Sequence, residues 1–152
     1  MIKGIDHVTI VVSDLDASIK FYTETLGLRR AGGAHLQGEW TKAVLGLEGV
    51  VADVSYLVSP EVGTRLELLC FEQPQSEASP VNSIPSTIGV RHIAFRVEAM
   101  DGMVKHLREM GVKFLGDGVS LPADVESGGS GQKTLCYFLD PDGVLLELAE
   151  YR

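Results

Sequence analysis

The sequence predicts an α+β fold made of two βαβββ modules that together form a cupped mixed sheet. Three observations carry this. Aligned at an offset of 85 residues, Gly4, His7, Val12 and Asp16 fall on Gly89, His92, Val97 and Asp101. After each of these β-branched strands comes an amphipathic, helix-period stretch. Each half then closes on a Pro/Gly turn and a strand with a central glutamate, "SPEVGTRLELL" and "DPDGVLLELA". A repeat of this kind fixes the fold class before any single element does.

The elements follow in chain order. "GIDHVTIVV" (4–12) reads as the first strand. In "SDLDASIKFYTETLG" the residues Leu15, Ile19, Tyr22 and Leu26 make one apolar helical stripe, with Ser13 or Asp14 able to cap its start and Gly27 its end. "LRRA" from Leu28 is a short strand, and 32–49 is the least legible segment, with "EWTKAVLGL" fit for a short helix. "VADVSYLV" then leads through the Pro60/Gly63 turn to the strand bearing Glu67. Residues 72–88, rich in Pro, Ser and Gln, read as the linker between a first module (1–71) and a second (89–152) of a single domain spanning 1–152. The second copy gives "GVRHIAFRV", then a helix with Met100, Val104, Leu107 and Met110 on one face and Gly111 as its stop. A strand "VKFL" from Val112, the strand "KTLCYFLD", and the Pro141/Gly143 turn before Glu147 complete it. Proline presets the first corner of such turns and glycine accepts a positive φ. The stretch 126–132, "ESGGSGQ", reads as a flexible segment, either a loop at the edge of the site or a disordered tip.

Composition bounds the function. The chain has 152 residues, 45% of them hydrophobic and 22% charged, with a mean hydropathy of +0.14. No apolar run reaches the roughly 18 residues needed to span a bilayer, and no signal-peptide pattern opens the chain, so a cytoplasmic location is expected. A net charge of −8 argues against nucleic acid or an anionic membrane as partner. Cys70 and Cys136 are too few for a disulfide framework and read as small buried fillers.

Four residues carry chemistry: His7, Glu67, His92 and Glu147. Period-two alternation puts His7 on a face with Ile5, Thr9 and Val11, and His92 on a face with Val90, Ala94 and Arg96. Glu67 shares its face with Arg65 and Leu69, and Glu147 with Leu145 and Ala149. The opposite faces are apolar and suit packing under the helices, so the polar four point to the concave side. A buried carboxylate costs several kcal/mol unless paired or metal-bound. Two imidazoles and two carboxylates form an N₂O₂ set suited to one divalent metal ion, Ni²⁺, Co²⁺, Zn²⁺, Mn²⁺ or Fe²⁺, with positions left for water or substrate. A lone histidine or glutamate in a strand is ordinarily a hydrogen-bonded or surface residue; the recurrence in both halves favours ligands. His106 falls on the polar face of its helix, and His35 lies in a glycine-rich stretch that could line a pocket. Arg65 and Arg96 either bind an anionic part of a substrate or pair with carboxylates. Trp40 suits core or pocket wall.

The stretches "DHVTIVVSDLDASIKFYTETLGL", "RLELL", "GVRHIAFRVE" and "YFLDPDGVLLEL" resemble the vicinal oxygen chelate superfamily, which includes glyoxalase I, methylmalonyl-CoA epimerase, bleomycin- and fosfomycin-resistance proteins and extradiol dioxygenases. The resemblance implies a glyoxalase-like cupped sheet around one metal held by His7, Glu67, His92 and Glu147. A His/Glu/His/Glu set is most similar to glyoxalase I; extradiol dioxygenases would use His7, His92 and Glu147, and bleomycin-type resistance proteins lack the set. Arg91 stands where the epimerase has the first histidine of its "LHHI" motif, and no glutathione-binding pattern is evident. The implied reaction is that of a lyase or isomerase. A small-molecule substrate with two adjacent oxygens chelates the metal, which stabilises the enediolate left when a neighbouring C–H proton departs. Glu147 is the first choice for the base and Glu67 the second. The alternatives are an extradiol-type dioxygenase and a non-catalytic drug-binding protein. Folds of this kind often form a homodimer, and the site is completed within one chain or across two.

Overall fold

The computed structural model describes residues 1–61, 63–122, 124, 125, 128 and 131–152. The chain divides into two compact units, Met1–Ala78 and Ser79–Arg152, with the boundary inside the predicted linker. Each unit is a four-stranded mixed sheet with helix on one side, so the α+β class and the βαβββ repeat hold.

In the first unit β1 (His7–Val11) runs parallel to β4 (Arg65–Gln73), and β3 (Val51–Val58) and β2 (Arg29–Gln37) complete the sheet antiparallel in the order β1-β4-β3-β2. Between β1 and β2, α1 (Leu15–Lys20) continues into one π-helical turn, Phe21–Thr25. Asp14 is the cap, its carboxylate accepting the Ala17 N–H at 2.9 Å, and Gly27 leaves the helix at φ +78°. The most buried positions lie one step from most of the predicted stripe. Ser18, Tyr22 and Thr25 are buried, while Leu15, Ile19 and Leu26 flank them half-buried. The short helix predicted around Trp40 is α2 (Glu39–Leu45). Trp40 itself is largely exposed, not a core residue.

The strand expected as "LRRA" is much longer. β2 runs through both glycines of "AGGA", with a bulge between Arg30 and Gly32. Gly33 is needed for room: a Cβ there would sit 2.5 Å from the Val54 carbonyl oxygen. Glycines inside a strand mark such close approaches and at the same time hide the strand from pattern reading.

The second unit repeats the plan with β5 (His92–Arg96) parallel to β8 (Leu145–Tyr151), then β7 (Lys133–Leu139) and β6 (Val119–Ser120) antiparallel. α3 (Met100–Glu109) buries Met100 and Leu107, with Met100 against Cys136. Met110, predicted on the apolar face, instead becomes the C-terminal cap and is exposed, because the helix ends one residue before it. The predicted "VKFL" strand is reduced to a single bridge, Phe114 to Phe138, and the edge strand forms later, at Val119–Ser120. The turn before β8 is closed by Asp140, whose carboxylate accepts the N–H groups of Asp142 (3.0 Å) and Val144 (2.7 Å), with Gly143 at φ +79°. Gly63 in the first unit has no positive φ, so the two turns differ in this respect. Of the predicted loop 126–132, residues 126, 127, 129 and 130 lie outside the described residues. Among the described residues no helix is long and apolar enough to cross a membrane.

Candidate functional site

The parallel pairing at the start of each unit sets the site. In unit one β1 and β4 align His7 with Arg65 and Thr9 with Glu67, and β3 aligns Tyr56 with Glu67. Register partners share a face, so one row runs Thr9–Glu67–Tyr56–Gly32. In unit two the equivalent row is Ala94–Glu147–Tyr137, and His92 lies opposite Leu145. The repeat therefore carries a third member that sequence reasoning missed: a tyrosine beside each glutamate. The signal was present, since Tyr56 and Tyr137 precede their glutamates by eleven and ten residues in the two copies.

The first unit brings His7 to Glu67, Nε2 to Oε2 at 3.8 Å. His7 Nδ1 lies 2.8 Å from Asp6 Oδ2. A carboxylate only accepts, so in neutral His7 the proton sits on Nδ1 and Nε2 offers its lone pair toward Glu67. The hydrogen bond from His7, and then the Arg65 guanidinium, hold the Asp6 carboxyl below the usual range. Arg65 grips the other oxygen of Glu67, with Nε donating at 3.1 Å and Nη2 at 2.9 Å, and reaches Asp6 at 3.2 Å. Thr9 Oγ1 donates to Glu67 Oε2 at 3.4 Å.

The second unit brings His92 to Glu147, Nε2 to Oε2 at 3.3 Å. Glu147 is only 2% exposed, and its other oxygen lies 2.6 Å from Lys133 Nζ. That contact holds the Lys133 ammonium above the ordinary lysine range. The Tyr137 ring meets the His92 ring edge-on at 5.2 Å. Burial first, and the Glu147 charge second, push the Tyr137 phenol up.

The two pairs share one design. In each, one carboxylate oxygen is held by a cation from the same face, and the other faces an imidazole nitrogen. A direct charge-assisted hydrogen bond would close to about 2.7–2.9 Å. Neighbouring ligand atoms on a tetrahedral divalent ion lie roughly 3.4 Å apart, given metal–ligand lengths of about 2.0–2.2 Å. The separations of 3.3 and 3.8 Å are nearer the second value. Each pair thus has the spacing of two neighbouring ligands on an ion. Among the described residues no group of three or more His, Cys, Asp or Glu gathers closely enough to hold one by itself.

The remaining sequence candidates separate clearly. Arg65 pairs with carboxylates, whereas Arg96 has none within reach among the described residues and stacks on Tyr151, its Cζ 5.2 Å from the ring centroid. His35 lies on β2 and bonds Asp53 at 2.9 Å, away from the Glu67 row. His106 is exposed. Cys136 is buried against Met100, and burial pushes its thiol up, which suits a filler. A concavity between α3 and β6, lined by Met100, Val104, Arg108 and Gly118, touches none of the four site residues.

A sheet unit of this topology, repeated, with a histidine on the first strand and a glutamate on the last, defines a class. Residues 4–148 match the model of the Glyoxalase/Bleomycin resistance protein/Dioxygenase superfamily, and the chain belongs to that family. It is similar to the crystal structure of a glyoxalase family protein from Bacillus cereus, at 32% identity and a TM-score of 0.84 over 99% of this chain and 95% of that one. It is 31% identical to an ethylmalonyl-CoA/methylmalonyl-CoA epimerase from Cereibacter sphaeroides, covering 99% of both chains. It is 27% identical to Glyoxylase I 4 of Arabidopsis thaliana, over 97% of this chain and 70% of that protein.

Proposed function

We propose that this protein is a metal-dependent lyase or isomerase that abstracts a proton from carbon next to a carbonyl, with its two units acting as one domain. The observation that carries the reading is the matched pair of imidazole–carboxylate contacts, one per unit, each with its second carboxylate oxygen already held by a cation. His7, Glu67, His92 and Glu147 would hold one divalent ion, Ni²⁺, Co²⁺, Zn²⁺, Mn²⁺ or Fe²⁺, within one chain or across a homodimer. Bound there, the ion would supply Lewis acidity to two adjacent oxygens of a small substrate. Asp6 fixes the His7 ring so that Nε2 is presented. Arg65 and Lys133 fix the two carboxylates by one oxygen each and leave Oε2 of each facing its histidine. Glu147 Oε2 takes the substrate proton and returns it to the adjacent carbon or the opposite face; Glu67 is the second candidate for that step. The similarity to an epimerase and to a glyoxalase supports both outcomes of the same proton transfer.

Metal analysis of the purified protein, then a screen of hemithioacetals, acyl-CoA thioesters and catechols, tests the reading. We expect one ion per chain and turnover in one of the first two groups. Two ions per chain would mean that each pair binds alone. No uptake of any of the five metals would leave sequestration without chemistry, and oxygen consumption with a catechol would make the protein a dioxygenase.

A further inference from the structure

On the site face of unit two, two cations stand against a single carboxylate. The strand residues of that face are His92, Ala94 and Arg96 on β5, Leu145, Glu147, Ala149 and Tyr151 on β8, Lys133, Leu135, Tyr137 and Leu139 on β7, and Val119 on β6. Glu147 is the one acid among them, and Lys133 already holds it. Arg96 is left over, in a chain with 21 acidic and 13 basic residues. An arginine surrounded by such an excess of carboxylates ordinarily finds one. Arg96 instead stacks on Tyr151, at 5.2 Å, and Lys133 approaches the same ring at 5.9 Å. Stacking holds a guanidinium by its face and leaves its N–H edge for a planar or tetrahedral anion. Between the two cations lies an apolar shelf, Ala149 paired with Leu135, and Ala149 is buried. Charge-assisted bonds are stronger beside such a surface than in open water. In unit one the arginine of the equivalent face, Arg65 on β4, is spent on Asp6 and Glu67.

We infer that Arg96, set by Tyr151, is a binding site for an anionic group of the substrate. Arg96 lies two residues along β5 from the Ala94–Glu147 row, about 6.6 Å of strand. The substrate class is therefore a small acid that presents adjacent oxygens at His92 and Glu147 and a carboxylate or phosphate a few bonds away, its carbon body beside the half-buried Leu135. The inference rests on the reading of this face as the substrate site, and it adds the charge of the substrate to it.

The test uses the full chain without added metal, with the arginine side chains labelled for NMR. Malonate, inorganic phosphate and neutral malonamide are titrated in turn at constant ionic strength. We expect saturable shifts of the Arg96 Nε–H with malonate or phosphate, whichever geometry the site prefers, and none with malonamide. Arg96→Gln should weaken that binding at least about tenfold, the loss of one charge-assisted contact. Tyr151→Leu should weaken it less, and Arg108→Gln, on the helix side, should leave it unchanged. Non-saturable shifts, or equal binding by Arg96→Gln and the unaltered protein, would overturn the inference. Metal uptake measured on Arg96→Gln separates the two readings. Uptake intact with no anion binding in the unaltered chain removes the subsite alone. Anion binding intact with no metal uptake keeps the subsite and removes the proposed reaction.

Discussion

Lys133 Nζ lies 2.6 Å from Glu147 Oε1, and both side chains are largely withdrawn from solvent, 15% and 2% exposed. The site's deepest carboxylate is therefore neutralised by the protein itself. Taking away the lysine leaves a buried charge without its counter-ion, the expensive half of a broken pair. Lys133→Met is expected to destabilise the fold by about 2–3 kcal/mol. Adding Glu147→Gln to that variant should return part of the loss, because the stranded charge disappears. Urea unfolding of the two single variants and the double variant reads the coupling directly. Purely additive effects would mean that the contact contributes nothing.

A carboxylate held by one oxygen still has the other for chemistry, and this separates ligand from base. Glu147→Gln keeps an oxygen donor of nearly the same shape, so much of the bound metal should remain. The amide cannot accept the substrate proton, and turnover should fall by about 10²–10⁴. Glu67→Gln should cost less if Glu147 is the principal base. Metal content and initial rate, measured on the same preparations with the substrate found in the screen, decide it. Undiminished turnover in Glu147→Gln rejects the assignment.

How much of this was legible beforehand depends on which signal each residue leaves in the chain. His7, Glu67, His92 and Glu147 are visible because the repeat places the same residue types at the same strand positions twice, and their pairing follows from parallel register. Tyr56, Tyr137 and Lys133 were overlooked because aromatic and basic residues inside a strand look like ordinary packing until a cross-strand partner is known. The long β2 was hidden by its glycines. The buried face of α1 takes in Ser18 and Thr25, whose small polar side chains give no hydrophobic signal to the pattern. Of the two roles weighed for Arg65 and Arg96, pairing with carboxylates is found for Arg65, whereas Arg96 stacks on Tyr151. Sequence could not divide them, because the acids that capture Arg65 reach it across the strand pairing.

Gly33 offers a test of the unread strand. The glycine has no positive φ, so only space forbids a side chain: a Cβ would lie 2.5 Å from the Val54 carbonyl oxygen and 3.4 Å from Arg30 Nη2. The Val54 carbonyl is ladder backbone and cannot swing aside as a flexible side chain could. Gly33→Ala should therefore cost about 1–3 kcal/mol through overpacking. Gly4→Ala is the control, since nothing lies within 4 Å of its Cβ position and φ is not positive there. Equal melting temperatures for the two variants would show that β2 does not make this close approach.

His35 and Asp53, paired between β2 and β3, give the pH prediction. Their 2.9 Å contact, first through the hydrogen bond and then through the Asp53 charge, raises the His35 pKa above its ordinary value of 6.5. A histidine whose pKa is higher folded than unfolded stabilises the fold when protonated. That contribution is complete below the unfolded value of about 6.5 and is lost as pH rises through the folded value. Asp53→Asn removes the charge, so the His35 ring should titrate lower by NMR. The variant's melting temperature should fall below that of the unaltered protein in mildly acid buffer and converge with it on the alkaline side. His35 is exposed, so the difference is small and needs matched buffers. A gap that widens as pH rises would carry the opposite sign and would rule out this pair as its source.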